Sequence, residues 1–399
     1  MSNLTGRGNS HVYYNISLTN NDTSDTLSPA PVVSFTETRN QPFLNCPEDY
    51  HMSVVRFNLE TPTLPILQVQ PMIGATDLVT TVYNTYMVRT KTGVGAGVVG
   101  SVTNVSYQPS DISVSPPSLP ITTTAYTSPY YNVFSHQAFV DMVNASLQTN
   151  FIALYGTGPD IPNTVPPYLY WDIGSNTAIL NVSKDLVSAT DTISIFFNAS
   201  LYTLFSSFPA TFSYYNFPVS PIATQKTPLY QITINTGLDA NISQNTISMP
   251  TVPPSQIVIY TYQILQEYST GPLWSPIDSI VFTTSLIPVI PELVASPIVY
   301  NSNGFASIGN NANISTVLTD FIVPMTTGNE YKPSINYTPA GEYRLASLFG
   351  KNPIHSIQVN VFYKDRFGNL IPMTLATGCS GSIKIMFRRK DFANLILDD

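Results

Sequence analysis

The chain has 399 residues, a formal net charge of −8, only 10% charged residues, 12% aromatics and 33 prolines. A charged share of about 25% is usual and proline interrupts helices, so coiled coils, helical bundles and charge-driven disorder are excluded. The length suffices for two or three domains of about 100–200 residues, or for one large β-domain with a sizeable core. Mean hydropathy is +0.08, yet no apolar run approaches the roughly 20 residues that span a bilayer. The opening MSNLTGRGNSHVYYN has no apolar stretch of signal-peptide type, so the expectation is a soluble protein without a secretory signal or membrane span.

In chain order, residues 1–45 are expected to form an N-terminal arm without its own core, because Asn, Ser, Thr and Asp dominate Gly8 to Pro29. The remainder, 46–399, opens on a strand from Met52 to Leu59, with Val55, Phe57 and Leu59 sharing one face. From Ser135 to Tyr155 the residues Phe139, Val143, Leu147, Phe151 and Leu154 recur at three or four, predicting one amphipathic helix with Ser135 as its cap. Tyr168 to Trp171 and Ala178 to Val182 read as a hairpin around Gly174-Ser-Asn176, and Asp191 to Asn198 as a further strand. Ile257 to Leu265 is a strand in which Val258, Tyr260, Tyr262 and Ile264 alternate.

The clearest alternation lies near the C-terminus, where Ile357, Val359, Val361 and Tyr363 face one way. Gly368 and Asn369 then suit a reversal, and Ile383, Ile385 and Phe387 line the next strand. Pro-rich stretches at Gln108 to Pro129, Gly156 to Pro167, Phe208 to Thr227 and Ser248 to Ser255 read as long connections. Many short strands separated by Pro and Gly indicate an all-β sandwich or jelly roll.

Catalytic patterns are missing from the sequence. His11, His51, His136 and His355 have no HxH, HExxH or HxxxH neighbourhood, and no G-x-S-x-G elbow positions a serine. Gly95, Gly97 and Gly100 match G-x-G-x-x-G, but the following Ser101 to Tyr107 alternates like a strand, so a strand-to-strand loop is expected rather than a phosphate cradle. Glu48-Asp49 and Asp398-Asp399 are adjacent acids whose side chains diverge in a strand. Cys46 and Cys379 show no metal or disulfide-framework spacing, and ten N-x-S/T sequons accompany an Asn-, Ser- and Thr-rich composition. No enzyme activity, cofactor or metal is expected.

Charge is unevenly placed. Residues 92–331 carry Lys184 and Lys226 against twelve acids, whereas residues 332–399 carry nine basic and five acidic residues. The basic cluster Lys384, Arg388, Arg389 and Lys390 is suited to phosphates, or equally to a solvated strand end or a protein contact.

Asn45-Cys-Pro-Glu-Asp-Tyr-His-Met-Ser-Val-Val-Arg-Phe57, an Asp-Tyr step leading into an apolar strand, resembles the start of penton and minor capsid proteins of small eukaryotic double-stranded DNA viruses: polinton-like viruses, adintoviruses and virophages. The segments Phe197 to Pro209, Trp274 to Phe282, Gly341 to Leu345, Phe362 to Leu370 and Ser382 to Lys390 look similar to such proteins. The resemblance implies a jelly-roll sandwich with an inserted β-rich region carrying the one helix, at about 106–254, projecting outward in pentons. It also implies a structural protein of the virion capsid that forms or seals icosahedral vertices as a homo-oligomer, a pentamer, beside the major capsid protein. The basic cluster is expected on the capsid-facing or interior side, with weak contact to packaged DNA. Two alternatives stay open: a compact double-jelly-roll major capsid protein, marked by two matching sandwiches, and a glycan-binding attachment module, marked by an aromatic-lined pocket.

Overall fold

The computed structural model describes residues 11–21, 31–62, 64–69, 79–91, 98–99, 102–108, 131–156, 165–220, 223–235, 242–249, 255–290, 298–300, 306–308, 316–322, 334–338, 344–365, 368 and 370–390. The chain divides into two compact units: Met1–Leu64, Pro276–Pro324 and Tyr331–Asp399 in unit one, Pro65–Ser275 and Met325–Glu330 in unit two.

Unit one contains eight principal strands: β1 (His11–Thr19), β2 (Ser34–Thr38), β3 (Tyr50–Glu60), β4 (Ile277–Thr284), β5 (Thr316–Phe321), β6 (Ser334–Tyr337), β7 (Ser356–Asp365) and β8 (Ser380–Arg389). They form two antiparallel sheets in the orders β1-β8-β3-β6 and β5-β4-β7-β2. The first strand thus pairs with the last, the second with the seventh, the third with the sixth and the fourth with the fifth. That nested winding is a jelly roll.

Alternation puts one face of each sheet into a shared core. Ile357, Val359 and Val361 from β7 and Ile383, Ile385 and Phe387 from β8 are buried as expected. Phe57 sits at the centre, with Phe282 at 5.0 Å and Phe35 at 6.2 Å in edge-to-face contact, and burying one such ring stabilises by about 1.5–3 kcal/mol. The β3 face differs from expectation. The pairing with β8 steps from Arg56 to Val54 between Lys384 and Ile385, so Val55 is the extra residue of a β-bulge. A bulge reverses the parity of everything beyond it, and Met52 and Val54 join Phe57 and Leu59 in the cluster between the sheets, while Val55, though buried, lies outside it.

The expected coreless arm at 1–45 is corrected in part. Its residues supply β1 and β2, and Val33 and Phe35 are fully buried. Within residues 11–19, Val12, Tyr14, Ile16 and Leu18 fall on every second position and pack on the core; an apolar set whose period matches a strand suffices even next to the polar stretch that follows. Leucine and phenylalanine also crowd Gly381, where an added Cβ would meet Leu59 Cδ1 at 2.7 Å and Phe35 Cζ at 3.6 Å.

Unit two occupies the chain between β3 and β4 and is wider than the expected 106–254. Strand Val79–Lys91 pairs with Asp191–Asn198, which pairs in turn with Ala223–Ile234. Ser255–Leu265 pairs with Thr177–Ser183, and that strand with Tyr168–Asp172. Helix α1 (His136–Tyr155) buries Phe139, Val143, Leu147, Phe151 and Leu154 as the spacing requires. Ser135 occupies the cap position, but its side chain makes no capping hydrogen bond. Asn144 of α1 instead serves an edge strand: its Nδ2 donates to Leu169 O at 2.9 Å and its Oδ1 accepts from Leu169 N at 2.6 Å. An amide thereby substitutes for a neighbouring strand.

The hairpin turn after Asp172 is held by its carboxylate, which accepts from Gly174 N and Ser175 N. The hydrogen bonds from Ser175, side chain first, hold the Asp172 carboxyl below its ordinary range. The glycines at 95, 97 and 100 lie outside the described residues.

Two core substitutions measure this packing. Phe57→Ala is expected to destabilise by about 3–5 kcal/mol, as large-to-small core changes do, and Gly381→Val by about 1–3 kcal/mol through overpacking. Both should lower the urea midpoint; an unchanged midpoint for Gly381→Val would show that β8 does not pass so close to Leu59.

Candidate functional site

The parity that buries Ile383, Ile385 and Phe387 turns Lys384 and Arg388 to the opposite, outer side of the first sheet. On β1, exposed Tyr13, Asn15 and Ser17 share that side. Register then defines rows across the sheet. Arg388 lies between His11 and His51, with Ser347 beyond His51 on the short strand Ala346–Ser347. Met386 lies between Tyr13 and Ser53, and Lys384 between Asn15 and Arg56. Ser382 follows between Ser17 and Asn58, and Asn58 Nδ2 donates to Asn336 Oδ1.

The face is therefore graded. Cations stand in the first row at Arg388 and the third at Lys384 and Arg56, with buried Met386 and Ser53 between them, hydroxyls and amides follow, and Glu60 stands at the far end, accepting from Ser380 N at 2.6 Å. Lys384 Nζ lies 4.8 Å over the Tyr13 ring, and Arg56 Nη2 donates to Asn15 Oδ1 at 3.1 Å. Lys390 Nζ donates to Leu348 O at 3.1 Å. His51 Nδ1 and Ser347 Oγ are 3.1 Å apart. Burial, then the charges of Lys390 and Arg388, hold the His51 imidazole below its ordinary pKa, which places both cations within electrostatic reach of one ring.

The sequence cluster is thus divided. Lys384, Arg388 and Lys390 belong to this face or its end, whereas Arg389 pairs with Tyr50 and has the parity of Ile385 and Phe387. Lys364 lies on β7 in the second sheet, 3.6 Å from Asp278. His11, His51, Arg56 and Tyr13 join the face from positions more than 300 residues away, and only strand register could have linked them. The outer face of the second sheet pairs its charges, Lys364 with Asp278 and Arg344 with Asp320, among neutral polar groups: Ser34 Oγ donates to Asn360 Oδ1 at 2.7 Å, and Thr38 and Ser356 hydroxyls are 3.0 Å apart.

Among the described residues no three His, Cys, Asp or Glu side chains group as metal ligands, and no helix is long and apolar enough to cross a membrane. Cys46 and Cys379 are free thiols.

Unit two contains a different aromatic arrangement. His136, at the start of α1, stacks on Trp171 at 4.3 Å and 5° and lies 5.1 Å from Trp274. Trp274 Nε1 donates to Leu204 O at 2.8 Å. Burial pushes the His136 pKa down to about 4.

The nested eight-strand winding places the chain in the jelly-roll class, which includes viral capsid, lectin and cupin domains, and the graded sheet face suits contact with another surface rather than catalysis. The family model described as Sputnik minor capsid protein V18/19 matches residues 12–389; the chain belongs to that family. It is 28% identical over 210 residues to "Structural protein V19" of Sputnik virophage, covering 53% of this chain and 87% of that protein. It is also 28% identical to "Uncharacterized protein V18" of the same virophage, over 38% of this chain and 89% of that one. A chain in the cryo-EM structure of the Sputnik virophage superposes with a TM-score of 0.72 at 25% identity, covering 97% of this chain and 99% of that chain. The mavirus penton protein shares the fold, with a TM-score of 0.59 at 15% identity over 95% and 99% of the two chains. The protein is accordingly a structural minor capsid protein of the virion and not an enzyme.

The buried imidazole gives a pH prediction. His136 is neutral when folded, and its folded pKa of about 4 lies below the unfolded value of 6.5. Its contribution is complete above pH 6.5 and is lost as the pH falls towards 4, because the unfolded chain takes up the proton first; the total is about 3 kcal/mol. Trp171 and Trp274 are the two tryptophans of the chain, so fluorescence-monitored urea midpoints should fall between pH 6.5 and 4. In His136→Phe that slope should flatten; an equal slope in both proteins would refute the assignment.

Proposed function

We propose that this minor capsid protein closes icosahedral vertices as a ring of five copies, each in contact with the surrounding major capsid protein. The observation that carries this reading is that, among the described residues, the nested winding occurs once. Among the described residues unit two has different sheets: Ile242–Met249, Ser255–Leu265, Thr177–Ser183 and Tyr168–Asp172 in one, and strands around Asp191–Asn198 in another. A double-jelly-roll subunit would repeat one strand order in both halves. The fold shared with the mavirus penton protein supports the same reading.

Ring closure requires a heterologous interface, in which one surface of each copy meets a different surface of the next. The two outer sheet faces differ in the way such an interface needs, one graded from rows of cations to Glu60 and the other carrying its charges as pairs, Lys364 with Asp278 and Arg344 with Asp320, among hydroxyls and amides. The basic end of β8 is assigned to the capsid-facing or interior side, where acidic neighbours or packaged DNA neutralise it. Charged contacts of this kind decide partner choice more than they stabilise the fold.

Native mass spectrometry of the purified chain tests the ring. Five copies of 43.7 kDa give a complex of about 220 kDa, and that species is expected at micromolar concentration. A consistent trimer, near three times the chain mass, would overturn the vertex assignment.

A further inference from the structure

Strand pairing sets two imidazoles that the sequence scatters beside the cationic end of β8. His11, Arg388, His51 and Ser347 form one row across four adjacent segments, spaced at roughly 4.8 Å from strand to strand. Lys390, held by Leu348 O at 3.1 Å, adds an ammonium group at its end. Beside the row, Tyr13 is half exposed, its ring stacked on His11 at 6.2 Å and 12°, and Lys384 Nζ lies over its face.

We propose that this row is a phosphate-binding site that takes the backbone of nucleic acid. Arg388 supplies the planar fork that matches two phosphate oxygens, and Lys390 supplies a point charge. His51 shares its Nδ1 with Ser347 Oγ, so Nε2 is the nitrogen left to meet a ligand. An aromatic ring set among cations is the pattern used for nucleic acid strands, where bases stack while cations follow the backbone; an acidic peptide requires only the charges. The net charge of −8 repels polyanions at long range, but at physiological salt that field decays within about 8 Å. The local row then decides. The inference rests on the vertex reading only for its placement towards the particle interior; binding itself belongs to the isolated chain.

Fluorescence anisotropy of the full chain with a labelled 20-base-pair duplex and its single strand tests the site, with a glutamate decapeptide as competitor. Neutralising three phosphates predicts an affinity that falls about 40-fold between 50 and 200 mM salt. R388E combined with K390E should weaken binding more than tenfold. R388Q should weaken it about tenfold with an unchanged melting midpoint, and R388K about threefold, because its charge persists without the fork. R388E alone should weaken it at least tenfold, whereas K351E, which changes charge by the same two units at an exposed position paired with Glu48, should alter affinity less than twofold.

Equal losses in K351E and R388E would reduce the effect to net charge and overturn the site. Equal competition by the glutamate decapeptide and unlabelled duplex at matched charge would reassign the row to an acidic protein segment, and absence of binding at 50 mM salt would remove it. Rings that form without binding DNA would overturn this inference and leave the vertex reading standing; a monomer that binds DNA would do the reverse.

Discussion

The structure of unit one depends on the insertion of β8 between β1 and β3. The last strand is hydrogen-bonded along both edges, to residues 11–19 on one side and to 50–59 on the other. Without it the first sheet loses its central member, and Ile383, Ile385 and Phe387 leave the core. Pairing over such sequence distances brings a large loop-closure cost before any contact forms. The jelly roll therefore stands or falls with contacts made only when both ends of unit one are present.

The same insertion creates the functional surface. Period-two alternation means that a strand which fills the core must present its other residues outward. On β8 those residues are Lys384 and Arg388, and the partner strands set His11, His51 and Arg56 beside them. The second sheet obeys the same geometry with different chemistry, turning out Ser34, Asn360, Thr38 and Ser356. The fold supplies two outer sheet faces; residue choice makes them unequal. A jelly roll by itself specifies no activity, and the capsid role rests on the family to which the chain belongs.

Much of this was legible in sequence where alternation is dense. β7, β8, helix α1 and the hairpin at 168–183 follow directly from apolar spacing. β1 was hidden because its four core-facing residues alternate with Tyr13, Asn15, Ser17 and Thr19 inside a wider stretch rich in Asn, Ser, Thr and Asp, and composition outweighed period in reading it. The bulge at Val55 left no local mark, since Val54 and Val55 are equally apolar and only the pairing with β8 decides which one enters the core. The extent of unit two was obscured for the same reason: Ile257 to Leu265 reads as a sandwich strand, and only its partner Thr177–Ser183 assigns it to unit two; the strand Val79–Lys91 was not singled out at all. Of the surface residues, the basic cluster was visible as a charge run, but its division at Arg389 and its union with two histidines follow from register.

The position of β8 can be measured directly by disulfide trapping. In a chain carrying Cys46→Ser and Cys379→Ser, cysteines at Ser17 and Ser382, which face each other across β1 and β8, should close an intramolecular disulfide on mild oxidation, since paired residues fall within disulfide reach. Cysteines at Ser17 and Ser356, on different sheets, should stay reduced. Closure of the second pair in preference to the first would contradict the threading of β8 beside β1, and with it the row that joins His11, Arg388 and His51.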